Sequence, residues 1–164
     1  MRTRLSKTNP FQKMSDRLLA FLQQGISPEK MALALAIGIT IGTLPLLGAT
    51  TLLCTLLAFW LRLNMAFLQL VNYIFYPIQL LLYIPFLRIG AGLFSEQKFN
   101  YSLEDITNML ANDPMGTIVK FFIVNLCGLL LWLILAPVLF GTSYFIGRTV
   151  FRSMAKQFST EQKG

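Results

Sequence analysis

Two stretches of this chain carry almost no charge. Between Met31 and Leu87 the one ionisable side chain of Asp, Glu, Lys or Arg type is Arg62, and from Phe121 to Gly147 there is none. Apolar runs of that length read as membrane-embedded helices. As one helix, residues 31–61 would reach about 46 Å at 1.5 Å per residue, against a hydrocarbon core of about 30 Å. Pro45 and Gly48 divide this run, because proline removes a backbone donor and glycine tolerates the turn. Each half is then short for a crossing, which predicts a re-entrant hairpin that enters and leaves on one side. One kinked or tilted crossing is the alternative. Residues 63–87 follow as a transmembrane segment with breaks expected at Pro77 and Pro85. A last transmembrane helix is expected over residues 114–151, with Pro137 and Gly141 allowing a kink.

Shorter patterns fill the remainder. Phe11, Met14, Leu18 and Leu22 recur at helical spacing, which predicts an amphipathic helix over residues 10–24, inside a basic leader of residues 1–25. It lies on the membrane surface or against the protein's own face. Ser27-Pro28-Glu29 opens the next helix with a capping hydroxyl, a proline at the first position and an acid near the positive end of the dipole. In the polar loop of residues 88–113, Ser102 caps a short amphipathic helix reaching Ala111, with Asp105 in the reciprocal capping position. Asp113-Pro114 starts the last helix by the same logic, and residues 152–164 remain as a basic tail. The expected fold is all-α. It is a polytopic integral membrane protein whose membrane domain, residues 26–151, holds the broken hairpin and about two full transmembrane helices, with three or four crossings as the wider range.

Charge sharpens the topology. Of the 164 residues 55% are apolar and only 13% charged, where soluble domains carry about a quarter. The net charge of +7 would fit a nucleic-acid binder if it were spread evenly, but its placement points elsewhere. Residues 1–30 hold six basic groups against two acids and residues 148–164 hold four against one, whereas residues 88–114 hold two against four. Lys and Arg beside membrane segments stay cytoplasmic, so both termini are expected in the cytoplasm and the central loop outside. The first apolar run, at 31 residues, is also longer than the roughly 7 to 15 of a signal-peptide core.

Candidate chemistry is sparse. The chain has no His, which removes the commonest general base and metal ligand, and Cys54 and Cys127 both lie in apolar runs. No metal-ligand spacing, phosphate-cradling loop or paired catalytic carboxylates are present, so no enzyme, metal or cofactor is expected. Ala34, Gly38 and Gly42 fall four apart, a small-residue stripe that lets helices approach closely. Arg62 stands out, since a charge at bilayer depth costs about 2.5–3.5 kcal/mol unless it is paired or reaches water. It either snorkels to lipid phosphate or recognises an anionic headgroup through its planar fork. Thr40, Thr43, Thr50, Thr51, Thr55, Asn64, Gln69, Asn72 and Gln79 form a polar set whose members chiefly satisfy one another. Asn64 and Gln69 face Asn72 and Gln79 only if the helix breaks near Pro77. Trp60 and Trp132 read as interfacial or packing aromatics.

The ordered set Ala36-Ile37-Gly38 through Gly42, Pro45 and Gly48, then Arg62-x-Asn64, the Pro77 segment and Pro85-Phe86-Leu87-Arg88-Ile89-Gly90 resembles a bacterial membrane family, domain of unknown function 2062. The resemblance covers residues 20–155. It departs from the family at Tyr76-Pro77, where members carry Asn-Pro. The family is largely uncharacterised. The resemblance implies a bacterial inner (plasma) membrane location, and, because similar modules occur beside glycosyltransferase-like domains, a part in envelope metabolism. The expected role is to bind or help translocate an anionic lipid-linked envelope precursor, with Arg62 and Asn64 on the headgroup near the Pro45 break. The alternative is a non-catalytic scaffold that docks an envelope-biogenesis enzyme. Membrane lipids, a second copy of the chain and such an enzyme are the expected partners; nucleic acid is not.

Overall fold

A computed structural model describes residues 27–46, 48–95 and 101–161. The expected amphipathic helix of residues 10–24 lies outside the described residues. Those described form five helices and no strand: α1 (Pro28–Gly42), α2 (Ala49–Trp60), α3 (Met65–Phe94), α4 (Leu103–Asn112) and α5 (Pro114–Glu161). The local signals at their starts operate as read. Ser27 Oγ accepts from the Lys30 N–H at 3.3 Å. Ser102 and Asp105 exchange both bonds of a capping box, and Asp113 Oδ1 accepts from the Gly116 N–H at 2.9 Å.

α1 is the centre. Nine of its 15 residues are buried, which no amphipathic surface helix would show. It packs chiefly on α5 and α3. Its small residues make this possible: a Cβ at Gly38 would sit 2.8 Å from the Val71 side chain and 3.1 Å from the Leu68 carbonyl, and one at Gly42 would lie 2.9 Å from Phe75. Ascending α1 thus meets ascending α3, so the two run parallel. α5 runs the other way, with Trp132 beside Thr43, Gly147 against Ala32 and Leu35, and Arg152 on Glu29. The main core joins Met31, Ala34 and Ile37 of α1, Cys54 and Ala58 of α2, Phe67, Leu68 and Val71 of α3, and Phe151 of α5.

Helix lengths differ greatly. At 1.5 Å per residue α1 and α2 span about 22 and 18 Å, against about 45 Å for α3 and 72 Å for α5. Among the described residues, only α3 and α5 are long and apolar enough to cross a membrane. The turn between α1 and α2 meets α3 at Gln79, midway along that helix. Above this level α3 and α5 continue as a pair, joined where Leu87, Ala91 and Val124 pack together.

Two expectations on α3 are corrected. The helix is continuous through both prolines, so Pro77 is not a break, and it passes Arg88 to end at Phe94. An interior proline forfeits a hydrogen bond and costs about 3 kcal/mol in isolation. Here both rings stand on the exposed face. The opposite face, with Asn72, Gln79, Phe86 and Leu87, is buried and keeps the axis in place. α5 likewise continues past Phe151 to Glu161, so most of the expected tail is helical.

The close contact of α3 and α5 gives a test. A Cβ at Gly90 would lie 2.6 Å from the Cys127 backbone, while one at Gly92 meets nothing within 4 Å. Gly90→Ala is therefore expected to destabilise the fold by about 1–3 kcal/mol through overpacking. Gly92→Ala should be neutral, or stabilising by up to about 1 kcal/mol through helix propensity. Chemical unfolding of the two variants in detergent measures the difference.

Candidate functional site

Two places collect the polar residues singled out in the sequence: the tip of the α1–α2 hairpin and the corner between α2 and α3. At the tip, α1 ends because Pro45 cannot extend it and Gly48 takes a left-handed φ of 85°. Thr43 Oγ1 folds back on the Thr40 carbonyl at 2.9 Å and accepts from Trp132 Nε1 at 3.4 Å. The Leu46 N–H closes a tight turn on the Leu44 carbonyl at 2.7 Å. Gln79 Nε2 then donates to Leu44 O at 2.6 Å and to Leu46 O at 3.4 Å. Pro45 is buried in this arrangement.

Below the tip, Gln69 Nε2 holds α2 to α3 by donating to the Thr51 carbonyl at 3.0 Å and to Thr55 Oγ1 at 2.9 Å. Asn72 Nδ2 reaches Gln69 Oε1 at 3.5 Å within the intact helix, so their meeting needs no break at Pro77. Above it, Tyr83 donates to Asn125 Oδ1 at 2.8 Å. Gln69, Asn72, Gln79 and Tyr83 lie on one face of α3. Their spacing of 3, 10 and 14 residues was the signal that could have grouped them. Asn72 Oδ1, Gln79 Oε1 and Thr40 Oγ1 are buried and have no hydrogen-bond partner. Such groups are expensive in an apolar interior and mark a site able to take a donor.

The corner is built differently. α2 ends in a Schellman turn: the Leu63 N–H reaches Ala58 O at 2.9 Å, the Arg62 N–H reaches Phe59 O at 3.3 Å, and buried Leu63 packs near Ala58. Arg62 occupies the left-handed position of that turn, with φ of 51°, where glycine is the usual residue. Its side chain is exposed, and no described residue offers it a hydrogen bond or ion pair. Trp60 and Phe59 beside it are 78% and 83% exposed. Together with Met65 they line a shallow groove of about 500 Å³. Asn64 caps α3, its Oδ1 accepting from the Phe67 N–H at 2.9 Å. The Met65 and Ala66 N–H groups that open α3, with the positive end of its dipole, thus lie next to Arg62.

The structure does not bring Arg62 and Asn64 to the Pro45 break. The whole of α2, about 18 Å, separates the corner from the tip. Ala34, Gly38 and Gly42 belong to neither place, since they form the buried face of α1. The corner shares its end of the bundle with Glu29, which accepts from Arg152 at 2.8–2.9 Å, a contact that holds the carboxyl below its ordinary value. At the opposite end, Asp105 is held low by the Ser102 hydrogen bonds of its cap. The two cysteines are free and buried. Among the described residues no group of three or more His, Cys, Asp or Glu could hold a metal.

The profile of a bacterial family described as "Uncharacterized protein conserved in bacteria (DUF2062)" matches residues 12–159, a span that includes the tip, the corner, α1 to α4 and all but the last two residues of α5. The chain belongs to this family. Comparison of the DUF2062 chain with curated proteins and with solved structures gives no match.

The tip of this DUF2062 chain depends on one side chain. Replacing Gln79 by Leu leaves the Leu44 carbonyl with the Leu46 N–H alone and takes the amide donor from the Leu46 carbonyl, and the fold is expected to lose about 1–3 kcal/mol. A cysteine at Leu46 should also react faster with a maleimide in the Gln79→Leu background, because the turn is no longer tied to α3.

Proposed function

We propose that this chain is a non-catalytic inner-membrane protein that binds, or helps to translocate, the anionic headgroup of a lipid-linked envelope precursor. In this reading α3 and α5 cross the bilayer and α1–α2 form a re-entrant hairpin. The end with Arg62, Arg148 and Arg152 faces the cytoplasm and the acidic α4 faces outward, in keeping with the positive-inside bias. The headgroup is held at the corner between α2 and α3 rather than at the tip.

One observation carries the proposal: Arg62 sits exposed, without a carboxylate, in a backbone conformation that favours glycine. A non-glycine residue there costs about 1–2 kcal/mol in a left-handed conformation, and such strain marks places where a side chain is retained for another reason. The guanidinium fork suits a phosphate, and the first-turn N–H groups of α3 supply further donors. Exposed Trp60 and Phe59 suit the boundary between headgroups and hydrocarbon.

Stability and binding should therefore move in opposite directions. Arg62→Gly is expected to raise unfolding free energy by about 1 kcal/mol. It should lower retention of anionic lipid about tenfold, read by native mass spectrometry of protein released from nanodiscs. Unchanged lipid retention in a stable Arg62→Gly variant would exclude the corner as the headgroup site.

A further inference from the structure

A second set of cations stands at the same end of the bundle, on α5 and the first turn of α1. Arg152 commits both Nε and Nη2 to a single oxygen of Glu29, at 2.9 and 2.8 Å. Arg148 lies one turn earlier on α5 and acts on Glu29 only through space. Its Nε is buried with no hydrogen-bond partner, although the side chain can donate five such bonds. Lys30, exposed beside Glu29, adds a third positive charge. Two arginines thus face one carboxylate, and the more buried of them, Arg148, has an Nε without an acceptor while Arg152 holds Glu29.

A groove of about 210 Å³ opens beside this group. Glu29 and Lys30 line its polar edge, and Leu33, Phe140 and Tyr144 its apolar floor. The last two rings lie parallel, 6.2 Å apart. Tyr144 and Arg148 are four residues apart on α5 and so follow one another along one helix face. A charged rim above an aromatic and aliphatic floor matches a molecule that is anionic at one end and apolar at the other.

We propose that the groove between α1 and α5 binds the phosphate group of an anionic amphiphile, with Arg148 and Lys30 as its ligands. The apolar part of the molecule lies along Leu33, Phe140 and Tyr144. Glu29 competes with the phosphate by occupying Arg152. This site is separate from the Arg62 corner, and each stands or falls without the other.

Full-length protein in phosphatidylcholine nanodiscs, with and without phosphatidylglycerol, provides the test. Retained lipid is counted by native mass spectrometry, and soluble glycerol phosphate is titrated in a parallel arm. Arg148→Gln is expected to lower phosphatidylglycerol retention about tenfold, and Arg148→Lys to restore part of it. Glu29→Gln, an exposed change that spares the interior, should raise retention severalfold because Arg152 is released. Displacement by glycerol phosphate assigns the site to soluble phosphate esters, and resistance to it assigns the site to a lipid; both support a phosphate site. Glu29→Gln leaving retention unchanged, or lowering it together with thermal stability, overturns the proposal in favour of a purely structural ion pair. Arg62→Gln serves as the control: loss of lipid there, with full retention in a folded Arg148→Gln variant, overturns this site and leaves the corner standing.

Discussion

A helix that stops inside an apolar environment leaves carbonyls with nothing to accept from, and water is not on hand to supply the donors. The turn between α1 and α2 faces that difficulty, and Gln79 meets it by giving its amide to both Leu44 and Leu46. Because Gln79 projects from the middle of α3, satisfying the turn also sets how far α1 can rise along α3. The hairpin's height and the packing of Leu44 on Phe86 and Trp132 follow from that anchoring.

Close approach by small residues does the rest. Gly38 and Gly42 bring α1 onto α3, Gly147 brings α5 onto α1, and Gly90 and Gly128 bring α3 and α5 together. In hydrocarbon, helix association depends on this kind of contact, since lipid tails compete equally well for apolar side chains. α2 is the exception. It buries only Thr50, Cys54 and Ala58, one narrow stripe, and relies on Gln69 for its polar tie to α3.

The division of the first apolar run at Pro45 and Gly48, the caps at Ser27, Ser102 and Asp113, and the two long apolar helices were legible because each rests on local chemistry or on length. Pro77 was misleading for the opposite reason. Whether proline breaks a helix depends on what holds the opposite face, and that face is supplied by α1 and α5, far away in sequence. The polar residues on α3 were visible as a group, but their partners are backbone carbonyls of the tip, which no residue type announces. Arg62 was conspicuous as a lone charge, while its left-handed conformation and its distance from Pro45 became visible only with the geometry of α2. The unpartnered Nε of Arg148 was hidden among other basic residues near the end of the chain.

The height of the hairpin also gives the molecule an uneven cross-section. Among the described residues, a slice between the Arg62 corner and the tip cuts α1, α2, α3 and α5; beyond Gln79 it cuts α3 and α5, with the short α4 packed on α5 at the far end. In the proposed placement, a bilayer around such a shape gives up more area in one leaflet than in the other. With α3 and α5 crossing a bilayer as proposed, the described helices form a wedge, and the energy of placing them depends on the curvature of the membrane as well as on its composition.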